Sequence, residues 1–430
     1  MAAKIALRDM TDFQLRGFLD AQQELYNELC AREVAVDLSL DAPSRAQLDL
    51  SNALLNLPGT GACRAADGTD VRLGGGLQGL LELRQIFGEL LRIPAANLVA
   101  AGNSSLALMH DVLVDALLHG LPDGEGPWYD QSVRFICPVP GNGRQFAICE
   151  HLDIDMIPVE LGPDGPDVAR VAGLMASDAR IKGMWMTPIY SNPTGITYSD
   201  QTLRAILEAP AAAPDFRIWV DDGYALQHLM DAESAPVPLL DWAAQAGNPD
   251  RVFLFASTSR ITFAGAGVAF LGASQLNLRW FLDHAGVRSI GPDKVNQLRH
   301  MRFLGDAEGV RALLRQHREL LVPKFKIVDD TLKRRMGELH VARWTKPKGG
   351  YFITLVVPDG CASRVVELAA AAGITLSPAG DSYPYGRDPL DRVVVIAPSY
   401  PSRGELSAGM DALATCVLLA VAEKLLSGRV

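Results

Sequence analysis

The sequence lacks both a Cys-x-x-Cys pair and an excess of positive charge. Its six cysteines are scattered along 430 residues without the spacing of metal ligands, so we predict no metal site and a reducing compartment. Lysine and arginine total 40 against 50 aspartates and glutamates, a formal net charge of −10. This balance argues against nucleic acid or an anionic membrane surface as the main partner.

Long apolar runs are also scarce. Residues 412–422 form the longest such run near the C-terminus, which is shorter than the roughly 20 residues that a bilayer requires. The N-terminus shows no cationic start followed by an apolar stretch, which would be typical of a signal peptide. We therefore expect a cytoplasmic protein without a membrane partner.

What the sequence contains is typical of a folded α/β protein. Apolar runs at residues 133–140, 154–161, 181–188, 216–222, 251–258 and 267–274 alternate with helical stretches, and residues 80–91 and 105–119 read as helices. Near-continuous apolar strands separated by helical crossovers predict a mainly parallel sheet with helices on both faces. In such a sheet the functional site is expected at the carboxyl ends of the strands.

The C-terminal third has a different pattern. One long helical stretch at residues 307–336 contains Pro323, a candidate kink, and is followed by strands at 349–357 and 392–399 and helices at 362–372 and 403–426. This order predicts a smaller α+β domain. We assign residues 61–306 to the large domain, 307–430 to the small domain with the long interdomain helix, and 1–60 to a segment packing on the small domain.

Three motifs each follow a predicted strand: "TPIYSNPTGITYSD" at residues 187–200, "DDGY" at 221–224 and "STSR" at 257–260. Singly, each has a structural explanation, since Asn-Pro-x-Gly suits a turn and a serine before a helix suits an N-cap. In this order and spacing they resemble the fold-type I aminotransferases that use pyridoxal phosphate (PLP), particularly the aspartate-aminotransferase-like branch. The resemblance covers nearly the whole chain.

The resemblance implies a set of cofactor-binding residues. Asn192 and Tyr224 match the residues that contact the phenolic oxygen of the pyridine ring, and Asp221 matches the aspartate that pairs with the ring nitrogen. Ser104 and Ser105, at the start of a predicted helix, match phosphate ligands, and a helix N-terminus favours an anion. Ser257 matches a further hydroxyl that contacts the phosphate.

Arg260 departs from this family pattern. It stands where the family has the lysine that forms a Schiff base with the cofactor and then transfers the substrate proton. A guanidinium stays protonated and has no lone pair with which to attack an aldehyde, so ordinary transamination should fail. We instead predict Arg260, Tyr224 and Asp221 as the catalytic residues.

Other positions depart from the family together with Arg260. Gly74 replaces a tyrosine that reaches the phosphate of the neighbouring subunit, and Asn142 stands where an aromatic residue should stack on the ring. Val395 replaces the arginine that grips the substrate carboxylate, and residues 40–42 replace a basic, glycine-containing stretch. Cofactor anchor, phosphate ligand and carboxylate clamp have therefore changed together.

Two roles for Arg260 stay open. It holds a substrate carboxylate or phosphate in its planar fork, or it forms a salt bridge with Asp221 that fills an empty cofactor site.

Three functions follow from these roles. The first is a repurposed biosynthetic enzyme of lyase, cyclase or condensing type, which acts on a small anionic or amino-acid-derived molecule without a covalent PLP aldimine. The second is a PLP-dependent enzyme in which Arg260 is an introduced substitution, or in which PLP or its amine form, PMP, binds non-covalently. The third is a non-catalytic partner subunit. In each case we expect a homodimer with its site near the interface.

Overall fold

A computed structural model describes residues 6–32, 35–231 and 236–428. Its strands are β1 Val36–Asp37, β2 Leu98–Ala100, β3 Arg134–Val139, β4 Asp155–Gly162, β5 Gly165–Pro166, β6 Ile181–Met186, β7 Arg217–Asp221, β8 Val252–Ser257, β9 Ala269–Ala273, β10 Arg343–Trp344, β11 Ile353–Val356, β12 Ile374–Thr375 and β13 Val393–Ile396.

The helices enclose the strands and are mostly short. They are α1 Asp12–Cys30, α2 Arg45–Asp49, α3 Leu81–Leu91, α4 Ser105–His119, α5 Gly143–His151, α6 Val168–Ser177, α7 Asp200–Glu208, α8 Leu239–Gln245, α9 Gln275–Arg288, α10 Lys294–Leu304, α11 Ala307–Met336, α12 Ala362–Ala371 and α13 Arg403–Ser427.

The central sheet has eight strands in the order β2-β9-β8-β7-β6-β3-β4-β5. The five strands from β8 to β4 run parallel, while β2, β9 and β5 each pair antiparallel with their neighbours. Alternate residues enter opposite layers: Ile218 and Val220 pack among α3, α6, α7, α8 and α10, and Trp219 packs among α4, α5 and α9. The predicted α/β class with a mainly parallel sheet is confirmed.

Several strands differ from their predicted form. The run at residues 267–274 is a strand, but β9 runs antiparallel to β8, and the pattern gave no sign of the short strands β2 and β5. The strand predicted from residue 349 begins only at Ile353. Gly349 lies against the ring of Tyr190 with no room for a side chain, and Gly350 has a φ of +81°, so the backbone there turns instead of extending.

The C-terminal residues form a second sheet, β10-β11-β13, which is antiparallel. The N-terminal residues join it from one side: β1 pairs parallel with β12, and Leu15 of α1 shares a core with Leu413 of α13. The domain limits at residues 60 and 306 stay predictions.

Helix α11 connects the two cores without interruption at Pro323. Its first turns place Val310 and Leu313 in the core below the large sheet, and its second half places Val328 and Leu332 in the C-terminal core. The long helix therefore packs its apolar side chains into both cores.

Helix α13 is, within the described residues, the one helix long and apolar enough to cross a membrane. In its most apolar stretch, 78% of the residues are buried inside the protein. That burial is typical of a core helix.

Candidate functional site

A cavity of about 730 Å³ opens at the carboxyl ends of the central strands. The large sheet, the N-terminal segment around Asp41 and the C-terminal residues all contribute to its wall. Every site residue predicted from the sequence lines this cavity: Ser104, Ser105, Asn192, Asp221, Tyr224, Ser257 and Arg260. The fold thus brings together residues that are up to 156 positions apart, from Ser104 to Arg260.

Asp221 is the last residue of β7 and is buried, with 6% of its surface exposed. Its Oδ2 accepts hydrogen bonds from Gln145 Nε2 at 2.9 Å and Asn142 Nδ2 at 3.3 Å, and its Oδ1 accepts from the backbone N–H of Gly223 at 3.1 Å. Burial raises the pKa of Asp221, and the nearby Arg260 opposes that rise. The carboxylate is thus held in place before any ligand binds.

Tyr224 lies on the wall between Asp221 and the N-terminal segment. Its hydroxyl donates to Asp41 Oδ2 at 2.6 Å and accepts from Arg260 Nη2 at 2.8 Å and from Asn192 Nδ2 at 3.3 Å. Burial raises the pKa of Tyr224 well above its ordinary value, although Arg260 lowers it. The phenol is therefore protonated at neutral pH and acts as a hydrogen-bond donor.

Arg260 forms its ion pair with Asp41, not with Asp221. Its Nε donates to Asp41 Oδ1 at 3.0 Å, and its Nη2 donates to Asp41 Oδ2. The alternative of an Arg260–Asp221 salt bridge is wrong, because the Asp221 oxygens already accept from Asn142, Gln145 and Gly223 while Asp41 reaches across from the N-terminal segment.

The guanidinium of Arg260 also stacks on Tyr224, with its central carbon 4.3 Å from the ring centroid. Burial lowers the pKa of Arg260, but the negative charge of Asp41 and the neighbouring Tyr224 and Asp221 together outweigh that effect, so its pKa is raised overall. Arg260 thus remains a cation at neutral pH. Within the described part of the chain, no residue accepts a hydrogen bond from its Nη1.

Hydroxyl groups form another part of the cavity wall. Ser104 caps α4, its Oγ accepting from the N–H of Ala107 at 3.1 Å, and Ser105 begins the helix. Ser257 ends β8, and its Oγ lies 2.8 Å from that of Ser259. Hydroxyls at the N-terminus of a 15-residue helix suit an anionic group.

The other departures from the family pattern have local explanations. Asn142 caps α5, accepting from the N–H of Arg144 at 3.1 Å, and its amide donates to Asp221. Val395 lines the cavity as an apolar wall residue. Gly74 lies against Ile290, away from the residues that line the cavity.

A polar network behind Arg260 was not predicted from the sequence. The hydroxyl of Tyr351 donates to the backbone oxygen of Arg260 at 3.4 Å and accepts from Gln47 Nε2 at 3.0 Å. Gln47 also lies 3.0 Å from Nδ1 of the buried His317. The Ser44–Gln47 capping box gave a local signal for the helix α2, but nothing in the sequence pointed to partners 270 and 304 residues away.

The residues present suit a phosphorylated pyridine only in part. The cavity is large enough for such a ring. Its wall contains the buried carboxylate of Asp221, the polar groups of Asn192 and Tyr224, and hydroxyls at the N-terminus of α4. Two cations, Arg144 and Arg260, lie among the residues that line it. Neither has an amine that loses its proton near neutral pH, so the site accommodates the group but offers no covalent anchor.

A mainly parallel sheet with these residues at its carboxyl edge has the arrangement of the fold-type I aminotransferase class. A sequence model of the family described as aspartate amino-transferase matches residues 10–429, so the chain belongs to that family.

Relatives match over almost the full length. The chain is 52% identical to a protein of Mycolicibacterium smegmatis provisionally named an aminotransferase, covering 95% of this chain and 96% of that one. It is 45% identical to an aspartate aminotransferase of Corynebacterium glutamicum, covering 98% of each chain.

The crystal structure of an aspartate transaminase from Corynebacterium glutamicum superimposes with a TM-score of 0.96 at 45% identity, covering 98% of this chain and 99% of that one. An α-aminoadipate aminotransferase of Thermus thermophilus, in complex with N-(5′-phosphopyridoxyl)-L-leucine, reaches a TM-score of 0.72 at 16% identity, covering 94% of this chain and 95% of that one. The second match shows the fold alone. Together the matches establish an aminotransferase-like protein.

Proposed function

We propose that this aminotransferase-like protein is a repurposed biosynthetic enzyme of lyase, cyclase or condensing type. It acts on a small anionic or amino-acid-derived substrate in the 730 Å³ cavity, without covalent attachment of PLP. The observation that carries the proposal is the hydrogen-bonded group formed by Arg260, Asp41 and Tyr224 at the cavity wall.

The Arg260–Asp41 pair supports an anionic substrate. Asp41 already occupies one edge of the guanidinium with a carboxylate, which shows that the local geometry accepts such a group. Nη1 carries two further N–H donors, and the Arg260 side chain is 20% exposed. A substrate carboxylate or phosphate therefore binds to Nη1, or replaces Asp41 on the fork.

Tyr224 and Asp221 supply the remaining chemistry in this proposal. Because its pKa is raised well above the ordinary value, the Tyr224 phenol serves as a proton donor and not as a base. Asp221, fixed by Gln145 and Asn142, serves as a buried negative charge that stabilises a cationic group of the substrate. Arg260 acts electrostatically, since it does not lose its proton.

A second candidate function is non-covalent binding of PLP or PMP by the same cavity. The observation that favours it is the joint presence of Asn192, Asp221 and Tyr224 and of the serines Ser104, Ser105 and Ser257 on the wall of one cavity. In this arrangement Asp221 would hold the ring nitrogen and the hydroxyls the phosphate. The bound ring would serve as an electron sink.

We also propose that the protein is a homodimer. Leu73, Val287 and Ile290 are exposed apolar side chains, with 68%, 91% and 79% of their surfaces accessible. The backbone near Leu73 and the residues around Ile290 lie in contact, because a Cβ at Gly74 would be 3.4 Å from Ile290 Cγ2. Exposed apolar side chains of this size, two of which belong to neighbouring segments, suit contact with a second copy of the chain.

Absorbance spectra of the purified full-length chain with added PLP test the first function against the second. We compare the native chain, Arg260→Lys and a matched control, Arg144→Lys, which places a lysine on the same cavity at an exposed position. Borohydride reduction followed by mass spectrometry identifies any covalent attachment. We expect no covalent product in the native chain or in Arg144→Lys.

The outcomes separate the candidates. A covalent product in the native chain contradicts our account of Arg260. A product in Arg260→Lys alone supports the loss of the anchor from a cavity that still accepts the ring. No product in any variant, combined with stabilisation of the native chain by small dicarboxylates and loss of that effect in Arg260→Gln, supports the repurposed enzyme. Stabilisation by PMP alone supports the second function.

A further inference from the structure

A cluster of histidine and aspartate side chains lies outside the cavity, between α4 and α9. Asp115 and His119 are four residues apart on α4 and so lie on the same face of that helix. His284 comes from α9, which packs in the same apolar layer. One ligand atom from each of the three residues lies within 4.8 Å of the other two.

We propose that Asp115, His119 and His284 form a binding site for a divalent transition metal ion such as Zn²⁺. Imidazole nitrogens and a carboxylate oxygen are ligands that Zn²⁺ takes at about 2.0–2.1 Å, which places ligand atoms roughly 3.4 Å apart in a tetrahedral site. Ligand atoms that now lie within 4.8 Å of one another would reach this separation through rotations of the three side chains on metal binding. A fourth position stays open for water.

Aromatic and charged contacts bring the two helices together at the cluster. The rings of His119 and His284 are stacked, with centroids 4.4 Å apart and an interplanar angle of 9°, and Trp280 contacts His284 edge-on at 5.1 Å. One turn before Asp115, Asp111 forms an ion pair with Arg288 of α9 at 2.7 Å. The two helices are therefore already joined at the point where the metal ion would bind.

Electrostatics at this position favour a cation. His119 is the last residue of α4, and His284 lies near the end of α9, so carbonyl groups at the negative ends of two helix dipoles are close. A bound ion would connect the ends of the two helices.

The site is separate from the cavity. Ser105, at the other end of α4, lies 14 residues away from His119, which corresponds to roughly 21 Å along the helix. The predicted absence of a metal site rested on the cysteines, and His284 is 165 residues from His119 in the sequence, so no spacing rule would have found the cluster.

Calorimetric titration of tag-free, chelator-treated protein with ZnCl₂ tests the proposal, and Co²⁺ supplies a visible spectrum of the site. We compare the native chain with Asp115→Asn, His119→Ala and His284→Ala. The matched control is His151→Ala, which removes an exposed histidine from α5. Melting temperatures without metal verify that each variant is folded.

We expect saturable binding of one ion per chain in the native protein and in His151→Ala. Each ligand variant should lose more than about tenfold in affinity, since loss of an outer-sphere partner alone costs 10- to 100-fold. Equal binding by the native chain and His284→Ala, or no saturable binding by the native chain, would overturn the proposal.

Discussion

Neutralising Asp41 tests the central contact of the site. Asp41 is the carboxylate partner of Arg260 and the acceptor of the Tyr224 hydroxyl. In Asp41→Asn, Arg260 keeps its charge but loses its counter-ion, and Tyr224 loses a charged acceptor. We expect the variant to be less stable and its N-terminal segment to be held less firmly over the cavity.

The structure sets the size of the effect. Removing one partner of a fully buried ion pair costs about 3–5 kcal/mol, whereas an exposed pair contributes about 0–1 kcal/mol. The Arg260 and Asp41 side chains are 20% and 21% exposed, which places this pair between those limits. We expect a loss of about 2–3 kcal/mol.

The melting temperature changes by a small but measurable amount. An unfolding entropy of about 2.1 cal/mol/K per residue, over 430 residues, gives about 0.9 kcal/mol/K. The expected loss therefore lowers the melting temperature by about 2–3 °C. Scanning calorimetry on Asp41→Asn, Arg260→Gln and the double variant gives the coupling between the two residues.

The matched control is Asp381→Asn, which neutralises an exposed carboxylate on the same cavity. Its stability should change by no more than about 0.5 kcal/mol. If Asp41→Asn behaves like this control, or if the double variant shows no coupling, the Arg260–Asp41 pair is not the contact that we describe.

Three further predictions concern buried titratable side chains. Burial raises the pKa of Asp222 to about 7, above its unfolded value, so the protein loses stability as pH rises from about 4 to 7. Asp222→Asn should remove that loss, and melting curves at pH 5 and 8 measure it. Lys182→Met leaves the buried Asp215 without its counter-ion at 2.7 Å and should lower the free energy of unfolding by about 3–5 kcal/mol. The double variant Lys182→Met/Asp215→Asn should restore part of this loss, as measured by denaturant titration. Burial lowers the pKa of His317 to about 4, so the native chain should lose stability as pH falls from about 6.5 to 4. His317→Leu should flatten the dependence of melting temperature on pH in this range. An unchanged slope would show that His317 is not the titrating group.

The resemblance of the motifs to fold-type I aminotransferases implied the site residues, and the apolar pattern placed them at the ends of strands and helices. Asp221 and Ser257 end apolar strands, and Ser104 precedes an amphipathic helix, so the parallel sheet required their side chains to meet at one edge. The partner of Arg260 was not predictable in the same way. Asp41 lies 219 residues away in a segment without regular structure.

The apolar pattern and the three strand-end motifs determined the α/β fold and the residues gathered around the cavity. The fold follows from local apolar periodicity, and the site residues follow from short motifs whose order and spacing resemble those of a known family. The tertiary structure alone decided which carboxylate neutralises Arg260 and which histidine of α9 meets Asp115 and His119. Such contacts depend on the docking of distant segments, because electrostatic pairing follows distance in space and leaves no periodic trace in the sequence.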